Sequence, residues 1–221
     1  MGSLFVVGTP IGNLEDISIR AIKTLRSVDL ILCEDTRRTK ILLKRYRIKK
    51  PLLSYHEGNE ERRTREVLRL LEEKDIALVS EAGMPGISDP GYRLVRACHE
   101  KGIKVIPIPG PSAITSALSV SGLPSNQFVY IGFLPRKKGE RRKILKELQD
   151  ERRTIVAFES PHRLKESLEG ILEILGDREI AICREMTKMF EEIFRGKVSD
   201  AVKHFSEPRG EFTLIIEGRR E

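Results

Sequence analysis

Residues 75–91 read DIALVSEAGMPGISDPG, an apolar run that passes directly into a loop dense in glycine and proline. The apolar run predicts a buried strand, because it is short and is bounded by turn-forming residues. Glycine permits positive φ and close approach of the backbone, whereas proline fixes φ and removes a hydrogen-bond donor. The mixture in residues 80–91 therefore predicts a rigid surface at the end of a strand, shaped to meet a ligand.

The first half of the chain alternates short apolar runs with helical patterns, which is typical of βαβ units and a largely parallel sheet. The sequence predicts strands at residues 4–8, 29–34, 52–55, 76–80 and 104–108. It predicts helices at residues 19–27, 39–46, 60–73 and 92–101. We therefore expect an N-terminal α/β domain over residues 1–110, with a mostly parallel five-stranded sheet.

The second half opens with a predicted helix of small residues, 112–121, which Gly122 should terminate. Further strands are predicted at 128–134, 154–159, 179–184, 191–195 and 212–217, and further helices at 139–150, 161–175 and 197–205. The connection between strands 179–184 and 191–195 is too short for a parallel crossover. A C-terminal α/β domain with a mixed five-stranded sheet is thus expected over residues 111–221.

The composition indicates a moderately basic protein, with 40 Lys and Arg against 33 Asp and Glu and a net charge of +7 over 221 residues. This excess is compatible with RNA or another polyanion, although charge alone discriminates weakly between partners.

The three cysteines, Cys33, Cys98 and Cys183, are widely spaced in apolar segments and are interpreted as reduced core thiols of a cytosolic protein. The four histidines stand apart from one another and from the cysteines, so no metal site is predicted. Neither a signal peptide nor a membrane span is predicted.

Four loops at the predicted carboxyl ends of the first-half strands are candidates for ligand binding, because ligands of open α/β sheets lie at that edge. Residues 8–14 are rich in glycine but do not form GxGxxG, and Pro10 removes a donor, which disfavours a dinucleotide. Residues 109–113, PGPSA, lead into the helix of small residues, where backbone can approach a ligand closely.

The loop 33–38, CEDTRR, has two interpretations. Asp35 and Thr36 could cap a helix within a local ion-pair network. Alternatively the strand end presents charge to a substrate, with Arg37 and Arg38 suited to phosphate and Asp35 suited to a hydroxyl.

Residues 136–143, RKKGERRK, also allow two interpretations. They could be the solvated start of a helix. They could equally form a patch that contacts phosphates, because six of the eight side chains are basic.

Taken in order along the chain, these motifs resemble the tetrapyrrole methylase superfamily. The resemblance is specific to its ribosomal RNA branch, the ribose 2′-O-methyltransferases that act on a cytidine of small-subunit (16S) rRNA. The motifs that carry it are GTPIGNL (8–14), EDTR (34–37), YHEGNEERR (55–63), SEAGMPGISDPG (80–91), PGPSA (109–113), FESPHR (158–163) and REMTK (184–188).

The resemblance implies a two-domain α/β enzyme that binds S-adenosylmethionine in the cleft between its domains, commonly as a homodimer. The implied partner is small-subunit rRNA or the assembled subunit, with no DNA and no membrane, in the cytoplasm. The sequence departs from the related tetrapyrrole enzymes at Met84, where they have the aspartate of Gly-Asp-Pro. It also has Glu81 where aspartate is commoner in the RNA branch.

By matching position, the resemblance implies two sets of cofactor contacts in which backbone groups dominate. The N-terminal set comes from the loops after the first, fourth and fifth strands and consists of Pro10, Gly83, Met84, Pro85, Ile87, Ser112 and Ala113. The C-terminal set is Phe158, Glu159, Glu185 and Met186.

Methyl transfer to a ribose hydroxyl requires alignment and removal of a proton. The catalytic residues expected are Asp35, Glu81 and Lys188, while Glu185, His56 and His162 remain further candidates for the base. Lys188 could orient the hydroxyl or hold a phosphate, and as a base it would need a depressed pKa. The substrate-binding residues expected are Arg37, Arg38, His56, Lys137 and Lys138, although His56 could equally be a strand-end histidine with a structural role.

Two other functions fit the same sequence. A tetrapyrrole C-methyltransferase acting on uroporphyrinogen or a precorrin would bind an acidic macrocycle, which a basic site also suits. A non-enzymatic RNA-binding assembly factor would need the basic surface but not the cofactor residues Pro10, Gly83, Pro85 and Ser112.

Overall fold

The computed structural model describes residues 2–220, which form two compact units divided after Ser112. Each unit has its own five-stranded sheet and its own apolar core.

The N-terminal unit is an open α/β sheet with strand order β3-β2-β4-β1-β5, in which every pair is parallel. Its strands are β1 Leu4–Val7, β2 Leu30–Cys33, β3 Leu52–Ser54, β4 Ile76–Val79 and β5 Val105–Ile108. Its helices are α1 Ile19–Ser27, α2 Thr36–Arg45, α3 Glu60–Leu70 and α4 Tyr92–Glu100, and a 3-10 turn covers Leu14–Asp16.

Helices cover both faces of this sheet, which explains why its central strands are continuous apolar runs rather than alternating ones. All four residues of β4 are buried. Ile31 of β2 faces a core that includes α1 and α2, and Leu32 faces a core that includes α3 and α4.

The C-terminal unit contains a mixed sheet with strand order β6-β7-β10-β8-β9. Its strands are β6 Phe128–Phe133, β7 Thr154–Glu159, β8 Glu179–Arg184, β9 Glu192–Lys197 and β10 Phe212–Ile216. Its helices are α5 Ala113–Ser121, α6 Lys138–Glu147, α7 Pro161–Leu175 and α8 Val198–His204. Helices α6, α7 and α8 share a core on one face of the sheet, and α5 packs on the other.

The predicted fold class is confirmed, including the parallel N-terminal sheet and the antiparallel pairing of β8 with β9. The predicted start of the second helix at residue 39 was wrong. Helix α2 begins at Thr36, because the Asp35 carboxylate accepts a hydrogen bond from the Arg37 backbone N–H at 2.7 Å and caps it. All three cysteines are buried and have free thiols, as expected.

Candidate functional site

The parallel topology of the N-terminal unit places the loops after β1, β4 and β5 side by side. Strand β1 lies between β4 and β5 in the sheet, and β2 lies on the other side of β4. Because parallel strands present their carboxyl ends at one edge, the loops that the sequence singled out meet at that edge.

The loop after β1 is joined to the loop after β4 by a two-residue bridge. The Thr9 N–H donates to the Gly83 carbonyl at 2.9 Å, and the Gly83 N–H donates back at 3.1 Å. The buried Thr9 hydroxyl also donates to the Ser80 carbonyl at 3.1 Å. Gly83 has φ +82°, which suits glycine, so this bridge depends on the residue type.

The loops after β1 and β5 approach through two glycines. A Cβ built on Gly8 would lie 2.7 Å from Gly110 Cα and 2.7 Å from the Met84 sulfur. A Cβ on Gly110 would lie 2.9 Å from Gly8 Cα. The residues implied as the N-terminal cofactor set, including the buried Pro10 and Pro85, are therefore carried on a surface built from close-packed backbone.

Such a surface can bring backbone N–H and carbonyl groups close to a ligand. Gly8 and Gly110 leave no room for a side chain between their loops, so these loops meet backbone to backbone. Ile87 is half exposed at the far end of the β4 loop, and Ser112, at the end of the β5 loop, is half-buried.

Charged residues at the ends of β2 and β4 are paired with one another. Asp35 accepts hydrogen bonds from the backbone and side chain of Arg37, which lower the pKa of Asp35 to about 2. Arg38 forms a salt bridge of 2.5 Å with Glu81. The structure therefore shows both the cap and the local ion pairs, and the predicted substrate role of Arg37 and Arg38 stays a prediction.

Asp89, in the loop after β4, was missed as a functional candidate. Burial, together with the nearby charges of Glu34 and Glu81, raises the pKa of Asp89 to about 6, although a hydrogen bond with Ser80 opposes the shift. The signal was present in the sequence as a carboxylate within the shaped loop. Its burial was not, because that depends on how the loop folds.

His56 lies in the loop after β3, in a turn made by backbone groups. Its N–H donates to the Asn59 side chain at 3.0 Å, and the Asn59 N–H donates to the His56 carbonyl at 2.9 Å. Burial, together with the charge of Glu81, raises the pKa of Glu34, and His56 opposes this shift. The structural role of this position is thus clear, and its substrate contact stays a prediction.

In the C-terminal unit, strand β7 ends in Phe158 and a buried carboxylate, Glu159. The side chain of Glu159 is fully buried and forms a 2.8 Å salt bridge with Arg163. It also accepts hydrogen bonds from the Ser167 hydroxyl at 2.5 Å and the Ser160 N–H at 2.7 Å. Because these partners occupy the carboxylate, a cofactor contact at Glu159 would have to use its backbone.

The loop between β8 and β9 is organised by Lys188. Its ammonium group donates to Glu185 at 2.9 Å and to Glu211 at 2.8 Å. Burial disfavours the charged form of Lys188 and so lowers its pKa. The hydrogen bonds to Glu211 and Glu185 outweigh burial, and the pKa of the lysine is raised overall. A raised pKa is the opposite of what a general base needs, so the geometry favours an orienting or charge-balancing role.

The remaining backbone of this loop is strained. Glu185 and Thr187 have φ values of +49° and +66° without being glycine. A Cβ on Gly210 would lie 2.5 Å from Cγ of Glu185, so glycine is required for the carboxylate to reach its partners. Met186 is half-buried against the core under α5.

The basic stretch 136–143 divides into structural and exposed side chains. Arg141 is buried and Arg142 pairs with Glu173. Lys137 forms a 3.3 Å salt bridge with Glu140, and Lys138 is exposed at the start of α6. Arg141, Arg142 and Lys137 therefore fit the interpretation as the start of a helix, and the phosphate contacts stay a prediction.

Within residues 2–220 no group of three or more His, Cys, Asp and Glu side chains is arranged to hold a metal ion. Over the same residues, none of the helices has the length and apolar character that crossing a membrane requires. His162, a candidate base, is exposed on the first turn of α7.

A family model described as Tetrapyrrole (Corrin/Porphyrin) Methylases matches residues 3–202. The chain is 61% identical over 222 residues to a Thermotoga maritima protein named ribosomal RNA small subunit methyltransferase I, covering 99% of this chain and 100% of the relative. Proteins of the same name from Bacillus subtilis and Escherichia coli O157:H7 are 50% and 47% identical over 99% of this chain and cover 76% and 79% of those relatives.

Two solved structures share the fold. A diphthine synthase superposes with a TM-score of 0.73 at 15% identity, covering 98% of this chain and 90% of that one. A uroporphyrin-III-C-methyltransferase from Thermus thermophilus superposes with a TM-score of 0.66 at 21% identity, covering 97% and 94%. At such identities the similarity concerns the fold, and function has to be argued from the site.

Proposed function

The chain belongs to the tetrapyrrole methylase family, and on that premise we propose that it methylates small-subunit ribosomal RNA with S-adenosylmethionine, at the 2′-hydroxyl of a cytidine ribose. The observation that carries the proposal is the 61% identity, along the whole of both chains, to a relative named for methylation of this RNA. The motifs EDTR and YHEGNEERR of the RNA branch support the choice of substrate.

S-adenosylmethionine, when bound, supplies a methyl group already activated on a sulfonium. In the N-terminal unit the backbone of the loops around Gly8, Gly83 and Gly110 would hold it, with Pro10, Met84, Pro85 and Ile87. In the C-terminal unit the proposed contacts are Phe158, the backbone at Glu159, Glu185 and Met186, and Ser112 and Ala113 lie where the two units join along the chain.

Removal of the ribose proton is proposed to fall to Asp89. A base works best when its pKa lies near the working pH, and the pKa of Asp89 is raised to about 6. Asp35, with a pKa of about 2, would be a weak base, and Lys188 would remain protonated. The Asp89 carboxylate would accept the proton that the 2′-hydroxyl loses, and the cofactor, when bound, would supply the methyl group and leave as the neutral thioether.

The other proposed roles concern orientation and charge. Glu81 and Arg38, which pair with each other, would fix the position of the hydroxyl, and Lys188 would orient the substrate or contact a phosphate. Arg37, His56, Lys137 and Lys138 remain proposed contacts of the RNA. A homodimer in the cytoplasm is likewise part of the proposal.

Transfer of tritiated methyl groups from S-adenosylmethionine tests the function. The acceptors are isolated small ribosomal subunits, naked rRNA and uroporphyrinogen, and the labelled RNA is digested with alkali. Label in an alkali-resistant dinucleotide is the expected result, because a 2′-O-methyl group blocks cleavage of the adjacent linkage.

Two outcomes would contradict the proposal. Label only in the macrocycle would make the chain a tetrapyrrole methyltransferase. No label in any acceptor, combined with no binding of S-adenosylmethionine in calorimetry, would favour a non-enzymatic RNA-binding protein.

A further inference from the structure

Strand β6 contains an extra residue that changes the direction of its last side chain. Tyr130 pairs with Val156 of β7, but Phe133 pairs with Phe158, so three steps along β6 match two along β7. Gly132, with φ +70°, lies within the irregular segment. A bulge of this kind reverses the alternation of side chains, so Phe133 faces the same side of the sheet as Tyr130.

The redirected ring of Phe133 is exposed next to a second aromatic ring. The ring is 56% exposed, and its centroid lies 5.4 Å from that of Phe158 with an interplanar angle of 62°. The ring of Tyr130 also contacts Phe158, with the two centroids 5.3 Å apart. Two neighbours therefore fix the position of Phe158, and Phe133 presents much of its surface to solvent.

The backbone of residues 134–136, which follows Phe133, accepts hydrogen bonds from two arginine side chains. Arg163 donates to the Leu134 carbonyl at 2.9 Å. Arg141, whose side chain is 3% exposed, donates to the Pro135 carbonyl at 3.3 Å and to the Arg136 carbonyl at 3.4 Å. The backbone of this segment is thus held in one position relative to the ring.

Three basic side chains project from the fastened segment. Arg136, Lys137 and Lys138 are all exposed, and Lys137 is the one member with a salt bridge, to Glu140, among the residues that the structure describes. The buried carboxylate of Glu159 pairs with Arg163. The surface carboxylate of Glu173 pairs with Arg142. Lys137 is offset by Glu140 and the charge of Lys138 acts on Glu173, so the exposed segment keeps an excess, though not all, of its positive charge.

From this geometry we infer that Phe133 and the segment 136–138 form a binding surface for single-stranded RNA, in which one base stacks on Phe133 and the flanking phosphates contact Arg136 and Lys138. The inference rests on the proposed function for its choice of nucleic acid. It adds a stacking residue and a fixed backbone to the two lysines already proposed to contact RNA. Proteins that bind single-stranded nucleic acids combine aromatic rings, on which bases stack, with positively charged segments that contact the phosphates.

Binding of a fluorescein-labelled, cytidine-rich RNA oligonucleotide to the full chain, followed by anisotropy at several salt concentrations, tests the inference. Phe133→Leu should weaken binding about tenfold without altering the salt dependence, since stacking is lost and phosphates are not. Phe133→Tyr should restore it. Arg136→Gln with Lys138→Gln should lower the slope of log affinity against log salt by about 1.4, the value for two phosphate contacts on a single strand.

Matched controls lie elsewhere in the chain. Phe128→Leu alters an aromatic residue that is 39% exposed at the opposite end of the same strand. The double variant Lys101→Gln with Lys104→Gln removes two positive charges as well, from exposed positions just before β5 in the N-terminal unit. Both controls should bind within about twofold of the wild type, and circular dichroism verifies that each variant is folded.

Several results would overturn the inference. They are wild-type protein that does not bind the oligonucleotide, Phe133→Leu that binds no more weakly than Phe128→Leu, and Phe133 variants that change only the affinity for S-adenosylmethionine. A change in sedimentation with unaltered RNA affinity would instead make the ring a contact between two copies of the chain. Tritium transfer by the wild type is measured in parallel, so the loss of this surface and the failure of the proposed function are distinguishable.

Discussion

The two units build their candidate loops by different physical means. In the N-terminal unit the loops meet through backbone, at the Thr9–Gly83 bridge and the Gly8–Gly110 contact. In the C-terminal unit the loops are held by charged side chains, notably the buried Glu159 with its half-buried partner Arg163.

This difference predicts different sensitivities. A backbone contact does not depend on pH or salt, but it tolerates no added side chain. A charged network depends on pH and salt, and it loses stability when one partner is removed, because the other charge remains without compensation. Substitutions in the two units should therefore fail in distinguishable ways.

The largest effect is expected from Glu159→Ala in the C-terminal unit. It leaves the Arg163 guanidinium, which is 19% exposed, without its carboxylate. Loss of one partner of a buried pair costs about 3–5 kcal/mol of unfolding free energy. Urea denaturation measures the change, and Glu173→Ala, which breaks the more exposed pair with Arg142, should cost much less. Equal costs for the two variants would contradict the assignment.

Gly110→Ala should be the most damaging change to the N-terminal loops. The added Cβ would lie 2.9 Å from three backbone atoms of Gly8, so one loop must move. Displacement of reacting groups by about 1 Å can lower a catalytic rate about 100-fold, so methyl transfer should fall by that order, and calorimetry should show weaker binding of S-adenosylmethionine. The control is Gly139→Ala, whose Cβ would meet no atom within 4 Å. If Gly110→Ala bound S-adenosylmethionine with wild-type affinity, the N-terminal loops would not depend on the close contact between Gly8 and Gly110.

Asp89→Asn should lower kcat about 100-fold near neutral pH, the lower range for loss of a general base. In the wild type, kcat/KM should rise as pH increases through about 6, where Asp89 ionises, and this limb should vanish in the variant. A pH–rate profile measures both effects, with Asp16→Asn as the exposed control. A variant that keeps the limb would exclude Asp89 as the base.

The same substitution, although it lowers kcat, should raise the stability of the folded protein at high pH. Because the folded-state pKa of Asp89 is raised from 3.8 to about 6, its favourable contribution is complete below about pH 4 and is lost as pH rises through 6. Asparagine does not ionise. Asp89→Asn should therefore raise Tm relative to the wild type at pH 8 and change it little at pH 4, as thermal melts at the two pH values will measure.

The smallest effect is expected at Asp35. Asp35→Ala removes the cap of α2 and should lower Tm by a few degrees, whereas Asp35→Asn keeps a capping oxygen and should have little effect. Neither should remove the pH limb assigned to Asp89. Loss of methyl transfer in the well-folded Asp35→Asn variant would restore Asp35 as the catalytic carboxylate.

The sequence was sufficient for the architecture, because the relevant signals are local. The alternation of short apolar runs with helical patterns predicted the parallel sheet, and the short connection between 179–184 and 191–195 predicted the antiparallel pair. The start of α2 was wrong by three residues. The Asp35 cap was recognised as one alternative, yet the charged residues after it lack the apolar periodicity on which the helix was predicted.

The chemistry of the site was harder to predict because it depends on long-range contacts. The burial of Asp89 depends on how the β4 loop folds, and the raised pKa of Lys188 requires Glu211, which is 23 residues away. The bulge that redirects Phe133 depends on its register against β7. Spacing along the chain reveals none of these relationships.

The central claim is ribose methylation of small-subunit rRNA, and mass spectrometry of nucleosides tests it most directly. Small-subunit RNA is treated with the protein and S-adenosylmethionine and then digested completely to nucleosides with nuclease and phosphatase. The account predicts 2′-O-methylcytidine as the new nucleoside, lost in Gly110→Ala and retained in Gly139→Ala. A methyl group on a base, on another nucleoside or on no component of the RNA would contradict it.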